Sequence, residues 1–61
     1  MASNQIFLVM DAGTPVAAFT VKRDMQIYLR RRLDTLANPL IYMFQGSNGP
    51  SIITMSKALA L

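Results

Sequence analysis

Residues 21–37 read VKRDMQIYLRRRLDTLA, and their spacing divides the chain into a helix and two flanking hairpins. At about 100° per residue, Val21, Met25, Tyr28, Leu29, Leu33 and Leu36 fall on one stripe, while Arg23, Ile27, Arg30 and Asp34 fall opposite. This is the pattern of a helix lying on a core. Thr20 is the expected N-cap, because its hydroxyl is placed to accept from amides of the first turn. Asn38-Pro39 is the expected stop, since proline pushes the preceding residue out of the helical region. The spacing predicts a helix over 21–37 with Leu29 and Leu33 as core anchors.

On either side the period drops to two. Residues 5–10 and 16–20 are rich in β-branched and aromatic side chains. Between them, Asp11-Ala12-Gly13-Thr14-Pro15 carries turn chemistry: an Asp that bonds nearby backbone, a Gly free to take positive φ and a Pro with φ fixed. Residues 40–45 form the next run, and GSNGP at 46–50, with its Asn48-Gly49 pair, reads as the turn into residues 51–56. Ile52, Met55, Ser56 and Leu59 also satisfy a helical spacing, but Ile52-Ile53-Thr54 is β-branched throughout and favours a strand. The expected fold is one small α+β domain over 1–61: a four-stranded antiparallel sheet with one helix on one face, in the order β-β-α-β-β.

Size makes such a domain marginal. A chain of 61 residues buries only about 60% of the surface that it exposes when unfolded. Small domains commonly add a disulfide or a metal, yet this chain has no cysteine and no histidine. What it has instead is 52% hydrophobic residues, on both faces of its strands. Ile6, Leu8 and Met10 alternate with Phe7 and Val9; Leu40, Tyr42 and Phe44 alternate with Ile41 and Met43. A sheet with one wet face should alternate apolar with polar residues. The face left uncovered by the helix is therefore expected to mediate self-association as a homodimer or larger, through Phe7, Val9, Ile41 and Met43, or through their alternates if the register is opposite.

The inventory for catalysis is short. Without His, Cys or Glu, acid–base work would fall to Asp11, Asp24, Asp34, the lysines and two tyrosines. Asp24 and Asp34 lie more than two helical turns apart on the expected helix and cannot share a metal or a proton. The three glycines sit in turns, and none opens a helix ahead of Lys-Ser or Lys-Thr as a phosphate loop would. No catalytic, cofactor or metal site is expected, and no enzyme activity.

Six basic against three acidic residues give a net charge of +3. Arg23 and Arg30 share the outward helix face with Ile27 between them, and Arg31 adjoins them. These four residues are the expected partner-binding set. Arg32 points into the apolar stripe, where it would snorkel, bind helix carbonyls or meet a partner's acid. Tyr42 and Phe44 on one strand faintly resemble a base-stacking platform, but the strand lacks interleaved basic residues. Residues 1–5 carry no basic n-region of a secretory signal, and no apolar run approaches the roughly 18 residues of a membrane span. The cytoplasm is the default expectation. The residues thus point to a non-catalytic protein-binding module, a self-associating regulator or inhibitor of a protein partner. A small basic nucleic-acid-binding protein using the helix arginines is the alternative. A membrane-surface role would need the helix stripe that the sheet already requires.

Overall fold

The computed structural model describes residues 5–47 and 49–61. Asn48 of the expected turn and most of the stretch inspected for a signal lie outside the described residues. The elements run β1 (Gln5–Asp11), β2 (Thr14–Phe19), α1 (Lys22–Arg31), β3 (Pro39–Gln45), β4 (Ser51–Thr54) and α2 (Met55–Leu59). The four strands form one antiparallel sheet in the order β2-β1-β3-β4, with α1 packed on it. This is the small α+β arrangement expected, with a second short helix added.

The first hairpin is tighter than the Asp11 to Pro15 segment suggested. Its loop is only Ala12-Gly13, with φ of 52° and 82°, so both central residues are left-handed, as in the primed turns that match strand twist. A bulge opposite Val9 and Met10 leaves Val16 as the extra residue of β2. The Asn38 amide donates to Asp11 Oδ1 at 2.7 Å. In return the Ala12 amide donates to the Asn38 carbonyl at 3.2 Å. This clasp holds the first turn against the start of β3.

The helix is shorter than its apolar period implied. α1 begins after Val21, an extended N-cap with no side-chain bond, so Thr20 is not the cap. It ends at Arg31, six residues short of the expected end at Ala37. The Thr35 hydroxyl donates to the Arg32 carbonyl at 3.2 Å, and the Thr35 and Leu36 amides donate to the same carbonyl at 3.0 and 3.2 Å. Asp34 and Thr35 both favour local side-chain bonds over helix, and an acid is unfavourable at a helix C-terminus. The resulting turn keeps Leu36 partly buried against the core but throws Leu33 out to 51% exposure. Leu29 is a core anchor; Leu33 is not.

The fourth strand stops at Thr54 rather than Ser56, and the chain bends into α2. Thr54 caps that helix, its Oγ1 accepting from the Lys57 amide at 3.4 Å. Gln26 Nε2 on α1 donates to the Ala58 carbonyl at 3.0 Å and ties the two helices together. The fully buried core is Phe7, Val9, Met25, Leu29, Ile41 and Ala58. Ala17, Phe19, Tyr28, Leu36, Met43, Ile53, Met55 and Leu59 pack around it.

The strand parity is thereby fixed, and it corrects the expected self-association set. Phe7, Val9 and Ile41 are fully buried beneath the helices, and Met43 packs against them. No second copy can reach them without unfolding the core. The alternates, Ile6, Leu8, Met10, Leu40, Tyr42 and Phe44, occupy the uncovered face.

Candidate functional site

Two surfaces stand out, one on each side of the molecule. On α1, Arg23, Ile27, Arg30 and Arg31 are all exposed. Their positions fall within a sector of about 100° on the helix, opposite the buried Met25 and Leu29. The structure therefore brings the four residues together as the outward side of α1. Ile27 lies at the middle of the sector and is 40% exposed, an apolar side chain flanked by guanidiniums. Because α1 ends at Arg31, Asp34 is not a helical neighbour of Arg30.

Arg32 stands apart from this set. Its guanidinium carbon lies 5.5 Å from the centre of the Tyr28 ring, and Tyr28 in turn packs on Phe19 with centroids 5.3 Å apart and planes tilted by 50°. A cation over an aromatic face is attracted by the ring quadrupole. The stack of Phe19, Tyr28 and Arg32 joins β2 to the end of α1. It accounts for a basic residue in the apolar stripe without a partner's acid.

All six basic residues are exposed and belong to the helical layer: Lys22, Arg23, Arg30 and Arg31 on α1, Arg32 just after it, and Lys57 on α2. The opposite face of the sheet carries no charge. In cross-strand register it reads Pro15, Met10, Leu40 and Thr54 at one end, then Ala18, Leu8, Tyr42 and Ile52, then Ile6 and Phe44. None of these side chains belongs to the core or packs against it. Ile6 and Ile52 are 45% and 54% exposed; Leu8, Met10, Leu40, Tyr42 and Phe44 are half-buried, shielded by one another on the pleat. The aromatic pair Tyr42 and Phe44 is thus separated from every cation by the thickness of the sheet.

No internal pocket is enclosed by the described residues. They also contain no group of three His, Cys, Asp or Glu side chains placed to hold a metal. Asp11, Asp24 and Asp34 lie on β1, on α1 and in the turn after α1. No described helix is long and apolar enough to cross a membrane.

The outward α1 set was readable from helical spacing. The uncovered sheet face was readable only as one of two alternatives, because Ile6, Leu8 and Met10 are as apolar as Phe7 and Val9. The place of Ile52 on this face follows from its pairing with Tyr42 and not from any pattern of its own. No protein-family model, curated protein or solved structure matches the chain.

Proposed function

We propose that the chain is a non-catalytic protein-binding module, a small regulator or inhibitor that meets an acidic surface of a protein partner through Arg23, Ile27, Arg30 and Arg31. The observation carrying this reading is Ile27, exposed at the centre of three arginines on the outward side of α1. Protein interfaces are enriched in Arg and keep an apolar centre from which charge is depleted, whereas phosphate binding has no use for an isoleucine. An inventory without His, Cys or Glu supports a binding role over a catalytic one.

The test compares retention of partners from native lysate by the wild-type chain, by Arg23→Glu/Arg30→Glu and by Ile27→Ser. A protein retained by the wild type and lost by both variants supports the reading. The segregation of all six cations into the helical layer favours a second reading, nucleic acid. In that case binding to generic duplex DNA falls steeply with salt and is indifferent to Ile27→Ser, because the phosphate term depends on charge alone.

A further inference from the structure

We propose that the uncharged face of the sheet is the contact between two copies of the chain, packed sheet on sheet about a two-fold axis with the helices outward. This surface is distinct from the outward side of α1, and its chemistry is self-complementary. It offers apolar side chains with the hydroxyls of Tyr42 and Thr54 and no ionic group that would select a different partner. Every copy carries the same face, and a two-fold axis sets it against itself.

The area is sufficient. Ten side-chain positions, each taking about 4.8 by 6.7 Å of the sheet, give a face of about 320 Å2 in flat projection. With side-chain relief, about 500 Å2 of accessible surface per copy would be covered, so about 1,000 Å2 in total, the threshold for a specific interface. Left open, it would rank with the largest apolar patches that monomers expose, about 300–600 Å2, which are often functional.

The edges of the sheet direct association to the face. Both edge strands, β2 and β4, are blunted. β2 carries Pro15 and a bulge, and β4 has only 4 residues before the chain turns into α2. Short edges, prolines and bulges all oppose the addition of a strand. Face packing closes on two copies, whereas edge pairing would leave a free edge at each end.

Charge placement is compatible with a dimer and unhelpful for a membrane. In the sheet-on-sheet arrangement the two cationic helical layers lie about 30 Å apart, well beyond the screening length of about 8 Å at physiological salt. Against an anionic bilayer, the same cations would point away from the lipid that the sheet face touched.

Sedimentation velocity on the full chain from about 1 to about 100 µM tests the proposal through mass action. The expected result is a concentration-dependent shift from one to two chain masses, with no larger species. Leu8→Lys, in the middle row, should remain at one chain mass with an unchanged circular dichroism spectrum. Should that variant fail to fold, Ile52→Lys decides the matter: it lies on an edge strand, is 54% exposed, and should weaken the dimer by about tenfold or more. Arg23→Glu/Arg30→Glu should leave the dimer constant unchanged, which separates this surface from the partner face on α1. A wild-type chain that stays at one mass throughout overturns the proposal. So does a dimer constant left unchanged by Ile52→Lys, growth beyond two copies, or flotation of single chains with vesicles of neutral or anionic lipid.

Discussion

At the scale of single residues, two positions carry side chains that do not suit their local structure. Ala12 has φ of 52°, where an L-residue with a Cβ loses roughly 1–2 kcal/mol. Asparagine tolerates this region, and Asn-Gly is the preferred pair for a two-residue hairpin loop. Ala12→Asn should therefore stabilise the fold by about 0.5–1 kcal/mol, seen as a Tm rise of several degrees. Val21 is the N-cap of α1 but has no oxygen to accept from the first turn, and it is 50% exposed, so little burial is lost on replacement. Val21→Asp supplies that acceptor and a negative charge at the positive end of the helix. A gain of about 1 kcal/mol in urea unfolding is expected. A variant no more stable than wild type would mean that solvent satisfies those amides as well as a carboxylate does.

At the scale of elements, α1 shows how far a periodic pattern reaches. Met25 and Leu29 were legible as core because they lie one turn apart within an uninterrupted helix, and both are fully buried. Leu33 fits the same stripe, yet it falls in the turn from Arg32 to Thr35 that follows α1, and no periodicity records where local hydrogen bonding overtakes helix. The two leucines should separate cleanly on truncation. Leu29→Ala should cost about 2–5 kcal/mol, the usual range for a buried leucine, while Leu33→Ala should fall within about 0.5 kcal/mol of wild type. Equal losses at the two sites would place the helix end wrongly. The second helix was hidden for a related reason: Ile52-Ile53-Thr54 reads as strand, and five residues are too few to form a helix unaided. α2 exists because Ala58 is fully buried and its carbonyl accepts from Gln26. Ala58→Leu should overpack that contact and lower stability by about 1–3 kcal/mol at an unchanged m-value.

At the scale of the whole molecule, the sheet separates a cationic helical layer from an uncharged apolar face. The sequence showed that both strand faces were apolar, but the choice between them rested on which alternation the helices cover. That is a long-range outcome: the aromatic register of Phe7 with Phe19, and Tyr28 packed on Phe19, sit on the covered side. The outward arginines of α1, by contrast, followed from helical spacing and are exposed, away from the core. In Arg23→Glu/Arg30→Glu each exchange removes one positive charge and adds one negative, so the net charge moves from +3 to about −1. Both side chains are exposed, and their effects on the helix oppose each other. A glutamate at position 23 meets the positive end of α1 and stabilises it, while one at position 30 meets the negative end and destabilises it, each by about 0.3–1 kcal/mol. The double variant should therefore unfold within about 0.5 kcal/mol of wild type while losing its retention on a heparin column at low salt. Retention that persists would assign the field to Lys22, Arg31, Arg32 and Lys57 instead. A variant that unfolds would show that the two arginines hold α1 on the sheet rather than face a partner.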